Sequence, residues 1–450
     1  MDAYHDDLHE KHEKMTTAPV EKLVLRLAVP TVVIMLITAF YNMTDTFFVG
    51  SLGTSAIAGV GVAFPLMAFI QAVGFFFGQG SGIYVARQLG ARKTEAASKT
   101  AVTGFVMSFV WGAVIGAAGI VFLEEMAVFL GATPTILPDA KDYLFYILLG
   151  APWMTASLTI NNLLRFQGSA FYAMIGMSSG ALLNILLDPI FIFVLRMGVS
   201  GAALATIVSQ FVAFCLLWAG CSKGGNIRLR IGNLTRKLEI FREIARGGIP
   251  SLIRQSIASI ATICINRMAG NYGDAAIAAM SIVTRLAFVA NSALLGLGQG
   301  FQPVCGFNYG AKLYGRVKKG FWFCVKLSTA LMAVMAVAVW IRAPEIIAVF
   351  RSDDAEVIAI GSLALRLQFA ASILMGWVIM NSMMLQTTGK SLPASTLALA
   401  RQGLFLLPLL FVLTSAFGLT GIQISQPIAD VATFILSIPL NIHMMREMKS

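Results

Sequence analysis

The sequence predicts an all-α polytopic membrane protein whose twelve transmembrane helices form two pseudo-symmetric six-helix bundles. Composition is the first observation: 57% of the residues are hydrophobic, 12% are charged and the mean hydropathy is +0.79, whereas a soluble domain carries roughly twice that charge. The second observation is the recurrence of apolar runs of about 20 residues, the length that an α-helix needs to cross a bilayer. The third is an internal repeat of the sequence, which predicts that one bundle is a copy of the other.

Twelve spans follow from the apolar runs, because glycine, proline and charged residues separate one run from the next. They are 24–49, 55–82, 99–123, 140–163, 169–195, 198–220, 244–270, 276–304, 319–342, 356–386, 392–416 and 419–444.

The charges of the connections predict the topology. Basic residues gather in alternate connections, and the longest basic segment is 221–243. Because cytoplasmic loops carry an excess of Lys and Arg, we expect both termini in the cytoplasm. The net charge of +11 then reports topology rather than a nucleic-acid partner. The expected segments are a solvated, flexible cytoplasmic tail at 1–22, an N-lobe at 23–220, a cytoplasmic linker at 221–243 and a C-lobe at 244–445.

The internal repeat appears when the chain is laid on itself with a shift of 220 residues. Pro30 then falls on Pro250, Asn161 on Asn381, and Gly78-Gln79-Gly80 on Gly298-Gln299-Gly300. Each half has six spans, an even number, so an axis along the membrane normal relates the halves. Such a layout suits rocking around a shared cavity and favours a transporter over a channel.

The first span carries a carboxylate inside its apolar run. From Leu23 to Gly50 the only charged residues are Arg26 and Asp45, and a charge at membrane depth is costly enough to mark functional sites. The alternative is a residue at the membrane rim, because Asp45 lies only about 7–8 Å from the end of the helix. Tyr41 and Asn42 precede it and are candidate substrate contacts.

The fifth span places Asn184 and Asp188 one turn apart on a single face, with Pro189 directly after. Together with Asp45 they offer oxygen ligands fitted to a proton or a small cation such as Na⁺. Thr206 and Gln210 lie on the sixth span, and Tyr143 begins the fourth. Ordinary interhelical hydrogen bonds explain each of Asn184, Thr206, Gln210 and Tyr143 equally well. Pro30 and Pro189 are the expected helix bends, and Gln210 and Asn161 are further candidate substrate contacts.

The second half differs in the sign of its buried charges. Asp430 is its one deep acid, and several arginines fall within its spans, among them Arg254, Arg285, Arg366 and Arg401. Structural pairing is one interpretation, in which one arginine meets Asp430 and others reach carbonyl groups or the interface. An arginine-lined wall for an anionic substrate or a lipid headgroup is the other.

These residues resemble the multidrug and toxic compound extrusion (MATE) family over nearly the whole chain. The resemblance is carried by Pro30, by Tyr41 to Asp45, by Asn184 to Pro189 and by the duplication. It implies a V-shaped pair of lobes in a bacterial inner membrane that export amphipathic, often cationic compounds by antiport with Na⁺ or H⁺. It also implies an ion site made by Asp45, Asn184, Asp188 and Thr206, with Tyr143 nearby. The seventh and tenth spans lack acids, so the chain is more similar to the DinF-like branch.

Two other functions compete with this expectation. A lipid-linked saccharide flippase of the same superfamily would use the arginines of the second half. A membrane-embedded enzyme would need a nucleophile with a base or a His and acid cluster, and outside the N-terminal tail the only histidine is His443. We expect a protein that is not an enzyme, works as a monomer among membrane lipids and needs no cofactor except its coupling ion.

Overall fold

The computed structural model describes residues 2–223, 226–350 and 354–448. Some side chains within these ranges lie outside the described part of the structure, namely those of 2–8, Ala39, Asn42, Met43, 45–47, Thr54, Ser55 and Asp274.

The described chain is built from α-helices joined by short turns. The helices are α1 (Asp2–Thr17), α2 (Val20–Gly50), α3 (Thr54–Gly90), α4 (Thr94–Val121), α5 (Leu123–Phe129), α6 (Leu137–Phe166), α7 (Ala170–Pro189), α8 (Gly198–Cys221), α9 (Leu238–Ala269), α10 (Asp274–Gly310), α11 (Tyr314–Ala348), α12 (Ala355–Ser372), α13 (Met375–Thr387), α14 (Ser391–Leu399), α15 (Leu407–Phe417) and α16 (Leu419–Glu447). Eleven segments of this part are helical, long and apolar enough to cross a membrane, and the 31-residue α2 precedes them. The predicted fold class is confirmed.

Three of the twelve spans are not continuous α-helices. The tenth consists of α12 and α13, because the chain turns at Ile373 and Leu374. In the fifth span the α-helix ends at Pro189, and a π-helical turn, Ile190–Val194, follows it. The eleventh span contains a second π-helical turn, Ala400–Leu406, just before Pro408. Proline has no N–H and cannot complete the i to i−4 ladder, and π-helical turns are a common way to absorb that defect.

The two halves meet where α2 and α3 of the first half pack on α9 and α10 of the second, and α3 touches both of those helices. Within the first half, α3 packs on α4 and α6, α8 packs on α6 and α7, and α2 lies against α7. Between the halves, α2 packs on α10 and α3 packs on α9. The crossings are tight at repeat-related glycines: a Cβ at Gly80 would lie 2.1 Å from the Ile244 carbonyl oxygen, and one at Gly300 would lie 2.4 Å from the Ala28 Cα. Both crossings lie toward the end of the bundle that carries the basic connections.

The N-terminal segment is not the flexible, solvated tail that its polar composition predicts. Helix α1 is docked against both halves. Lys11 Nζ donates to Ser169 Oγ at 2.7 Å and to Asn226 Oδ1 at 2.6 Å, while Asn308 Nδ2 of the second half donates to the Met15 carbonyl at 3.1 Å. Met15 is 3% exposed. Tertiary contacts therefore order a segment whose sequence alone lacks an apolar run.

Helix α9 begins at Leu238, within the segment 221–243 that connects the halves. The described residues of this segment before α9 pack on the base of the first half: the Ile227 backbone N–H donates to Gln167 Oε1 at 2.6 Å, and Asn226 is buried. Arg87 of α3 pairs with Glu243 in the early part of α9 at 2.7 Å. The two halves are thus tied together at this end by an ion pair as well as by glycine packing.

Candidate cation and substrate site

Three buried polar residues, Asp188, Asn184 and Thr206, lie between the fifth and sixth spans and are called the carboxylate cluster after Asp188. Asp188 is 0% exposed, Asn184 is 2% exposed and Thr206 is 1% exposed. Asn184 and Asp188 share a face of α7 because they are four residues apart, and Thr206 faces them from α8. The sequence predicts that these three residues lie together, and the structure brings them within hydrogen-bonding range.

The amide of Asn184 connects the other two residues. With its nitrogen turned toward Asp188, that nitrogen donates to Asp188 Oδ2 at 3.1 Å, and the amide oxygen accepts from the Thr206 backbone nitrogen at 3.2 Å. In the opposite orientation Nδ2 lies 3.3 Å from Thr206 Oγ1, but the amide oxygen then faces the carboxylate, which is repulsive. Thr206 Oγ1 itself donates to the Ala202 carbonyl at 3.1 Å. The first orientation satisfies both ends of the amide.

The place of Asp45 is given by the backbone of α2. Its side chain lies outside the described part, as does that of Asn42. Helix α2 packs along α7, and three residues after Asp45 the ring of Phe48 meets that of Phe193 with centroids 6.2 Å apart. Since Phe193 follows Asp188 by five residues, the ends of the two acid-bearing helices are neighbours.

The remaining polar candidates of the first half do not form one cluster. Tyr143 is buried and its hydroxyl donates to Met67 Sδ at 3.8 Å, within an apolar cluster that includes Val199 and Ala203 of α8. Gln210 and Tyr41 are half-buried on α8 and α2. Asn161 is buried on α6, and its Oδ1 has no hydrogen-bond partner among the described residues. Asn161 is therefore free to accept a hydrogen bond from a ligand or water.

The two prolines have different surroundings. Pro30 is buried inside α2, and the helix continues through it. Pro189 ends α7, and the π-helical turn follows it directly. The more strongly interrupted helix is therefore the one that carries Asp188.

In the second half a fully buried acid, Asp430, faces three donors, of which Arg401 alone carries a neutralising charge. Arg401 Nε lies 2.9 Å from Asp430 Oδ1, Gln426 Nε2 donates to the same oxygen at 2.7 Å, and Gln368 Nε2 lies 3.4 Å from Oδ2. Asp430 falls on Gln210 in the repeat, since 210 + 220 = 430. Arg401 is thus the arginine that pairs with the deep acid, and the two halves carry different polar groups at equivalent depth.

The other arginines of the second half have weaker partners. Arg254 Nη2 donates to Ser251 Oγ at 3.1 Å, and Arg366 Nε donates to the Trp340 carbonyl at 3.0 Å. Arg285 is exposed. None of the three has a carboxylate partner among the residues that the structure describes.

The sequence does not predict one buried arginine. The predicted spans 140–163 and 169–195 leave Arg165 in a connection, yet it lies in the last turn of α6, is 2% exposed, and donates to Gln299 Oε1 of the second half and to Asn162 Oδ1, the latter at 2.6 Å. The sequence contains one sign of this contact, because Gln299, the partner of Arg165, belongs to the duplicated Gly-Gln-Gly pattern. Arg165 adds a second polar link between the halves.

The fold and this site define a polytopic α-helical membrane transporter made of two repeat-related halves. The MatE family model matches the chain twice, over residues 30–190 and 250–412. The two matches start 220 residues apart, in register with the internal repeat. The chain belongs to the MatE family, which confirms the resemblance seen in the sequence.

Relatives and solved structures agree with this assignment. The chain is 28% identical to the multidrug export protein MepA of Staphylococcus haemolyticus over 92% of both chains, and 29% identical to that of Staphylococcus saprophyticus over 95% of this chain and 94% of that one. A MATE crystal structure in complex with MaL6 superimposes with a TM-score of 0.91 at 25% identity. An outward-facing multidrug resistance MATE transporter gives 0.91 at 26%, and a Pyrococcus furiosus transporter of the same superfamily, described by the reverse polarity of its binding pocket, gives 0.90 at 26%. Each covers 97% of this chain and 98% of the other.

Proposed function

We propose that this protein is a secondary active exporter of amphipathic, mainly cationic organic compounds, driven by exchange with Na⁺ or H⁺. The observation that carries the proposal is the fully buried Asp188 carboxylate, held by Asn184 and next to Thr206. A buried acid in a membrane bundle is a functional site by default. The names of the relatives, multidrug export proteins, support the substrate class.

Exchange follows from competition for the same carboxylates. A proton or Na⁺ that binds at Asp188 and Asp45 neutralises the attraction for an organic cation, so the two ligands exclude each other. The interrupted end of α7 lies beside the cluster, and α7 packs on α2, which crosses to the second half. A change in the bend at Pro189 or Pro30 therefore has a direct path to the contact between the halves.

The packing between the halves supports an outward-facing state. The glycine crossings and the Arg87–Glu243 ion pair close the basic end of the bundle, which we place in the cytoplasm on the positive-inside rule. Both termini are then cytoplasmic in a bacterial inner membrane, with an N-lobe at 23–220 and a C-lobe from 244. Monomeric function and the DinF-like branch remain predictions.

An anionic amphiphile is the second candidate substrate. Arg254 and Arg285 lack carboxylate partners in the described chain. These two arginines therefore offer positive charge to an anionic substrate, although Asp430 neutralises the charge of Arg401. No observation favours the enzyme alternative, and the described residues contain no group of His, Cys, Asp and Glu that could hold a metal ion.

Reconstituted protein separates these proposals. Proteoliposomes loaded with a fluorescent organic cation are exposed to an imposed Na⁺ gradient or an imposed pH gradient, and efflux against the dye gradient is recorded. We expect one of the two gradients to drive export and Asp188→Asn to abolish it. If neither gradient moves the dye and a fluorescent lipid anion is moved instead, the anionic alternative replaces this proposal.

A further inference from the structure

A cleft of about 490 Å³ opens between α1, α2 and the start of α7, at the basic end of the first half. It lies outside the carboxylate cluster, which is at the opposite end of α7. Its walls come from three elements: Glu10 to Met15 of α1, one face of α2 from Leu23 to Pro30, and residues 168–172.

The mouth of the cleft carries unpaired positive charge. Lys14 and Arg26 line it, both are exposed, and neither has an ion-pair partner among the described residues. Lys11 also lines it, with its amine bound to Ser169 and Asn226. Glu10 is the acid of the lining, so the cleft has a net charge of +2 from three cations and one anion. This surplus favours an anionic ligand.

The deep wall of the cleft is apolar. Leu23, Leu27 and Pro30 lie on one face of α2 at helical spacing, and Phe171, which is 58% exposed, faces them from α7. Pro30 lies one turn, about 6 Å, further into the membrane than Arg26. Leu27 and Pro30 thus lie deeper along α2 than the charge of Arg26, on the side of the acyl chains, whereas Leu23 lies on the headgroup side of Arg26.

We propose that this cleft binds an anionic phospholipid from the leaflet at the basic end, with its phosphate between Lys14 and Arg26 and an acyl chain along Leu27, Pro30 and Phe171. Basic pockets between transmembrane helices commonly take such headgroups. A zwitterionic lipid brings its own cation to the site and gains less from the surplus charge. A free phosphate ion makes no use of the apolar wall.

The occupant would act on both halves through α1. One wall of the cleft is α1, and the same helix contacts Gly90 through His12 Nε2 at 3.0 Å and accepts a hydrogen bond from Asn308 of the second half. A lipid held between α1 and α2 therefore stabilises α1 in the position where it touches both halves. The contact of α1 with both halves then depends on the anionic lipid content of the membrane.

Native mass spectrometry of the delipidated full-length protein tests the proposal, with phosphatidylglycerol, phosphatidylcholine and inorganic phosphate as probes. We expect a saturable phosphatidylglycerol adduct that weakens roughly fivefold for each cation removed in Lys14→Gln and Arg26→Gln, and little adduct with phosphatidylcholine. The matched control is Lys22→Gln, an exposed base on the same helix that does not line the cleft. An equal loss in Lys22→Gln, equal binding of phosphatidylcholine, or binding of phosphate alone would each overturn the proposal.

A second measurement covers the case in which a charge variant folds poorly. Leu27→Trp places a fluorophore on the apolar wall and keeps both cations. Measured against the wild type with its six native tryptophans, the fluorescence that Leu27→Trp adds should be quenched more by phosphatidylglycerol with brominated acyl chains than by brominated phosphatidylcholine. Equal quenching by the two lipids contradicts a selective site.

Discussion

Gly90 lies directly against the carbonyl of Phe307, so that a Cβ at Gly90 would be 2.1 Å from that oxygen. A shift of 220 residues relates this pair to Gly310 and Arg87. A Cβ at Gly310 would be 2.0 Å from the carbonyl oxygen of Arg87. The residue two positions beyond each glycine, Arg92 and Lys312, has a left-handed backbone with φ of 59° and 60°. The same contact is therefore built twice across the pseudo-symmetry axis.

Alanine at Gly310 should open the basic end of the bundle. A carbon atom needs about 3.3 Å or more from a carbonyl oxygen, so Gly310→Ala forces α10 and α3 apart by about 1 Å. Cys305 on α10 is 1% exposed, and its labelling by a maleimide from the basic side should become faster in a background where it is the single cysteine. Gly315→Ala is the control, because a Cβ there meets nothing within 4 Å. Unchanged labelling in Gly310→Ala would show that this crossing does not limit opening.

Removing the charge of Asp188 should uncouple transport from the ion gradient without unfolding the protein. The carboxylate is buried and accepts a hydrogen bond from Asn184, so Asp188→Asn should lower cation affinity by roughly ten- to a hundredfold, the usual value of a charged hydrogen bond. Efflux driven by the gradient and dye binding to purified protein are the two readouts. Asp142→Asn alters an exposed carboxylate at the same end and should leave both unchanged. Full ion-driven efflux in Asp188→Asn would rule out a coupling role.

Breaking the Arg401–Asp430 pair from one side should destabilise the second half. Loss of one partner from a buried ion pair costs about 3–5 kcal/mol of unfolding free energy. Because Arg401 is 21% exposed, we expect Asp430→Leu to cost about 3 kcal/mol or less. The double variant Arg401→Met with Asp430→Leu removes both charges and should recover most of the loss in melting temperature. A double variant less stable than Asp430→Leu would argue that Arg401 has another essential partner.

Loosening α1 should expose it to protease. Arg316 of α11 donates to the Ala18 carbonyl at 2.5 Å and to Asn308 Oδ1 at 2.8 Å, so together with Asn308 it fixes the end of α1 to the second half. Arg316→Ala removes these bonds, so trypsin should cleave after Lys14 roughly fivefold faster, the effect of about 1 kcal/mol on local opening. Lys318→Ala, on the same helix, serves as the control. Equal cleavage rates in the wild type and Arg316→Ala would mean that other contacts, such as that of Lys11, are sufficient.

The sequence predicts those features that depend on local spacing. Helix length follows from apolar run length, the repeat follows from glycines and prolines at one shift, and the Asn184–Asp188 pair follows from four-residue spacing on α7. Thr206 could be included because its span is adjacent in the chain. These features need no knowledge of tertiary contacts.

The features that the sequence does not predict depend on contacts between distant segments. Polar residues 2–17 have no apolar run, and their docking depends on Asn308 and Arg316, about 300 residues away. Arg165 is the single basic residue of the connection between two predicted spans, and its burial depends on the meeting of α6 with α10. The π-helical turn before Pro408 likewise reflects the packing of α14 and α15 rather than a distinct local pattern.

The unequal halves set a limit on stoichiometry. The first half offers two carboxylates at membrane depth, Asp45 and Asp188, whereas the deep acid of the second half is already neutralised by Arg401. Under the proposed exchange mechanism, one cycle moves at most two monovalent cations for one substrate molecule. Each cation that falls through 100 mV releases about 2.3 kcal/mol, so the membrane potential alone supplies about 4.6 kcal/mol per cycle. For an uncharged substrate, this electrical energy sustains a concentration ratio of about two thousandfold across the membrane.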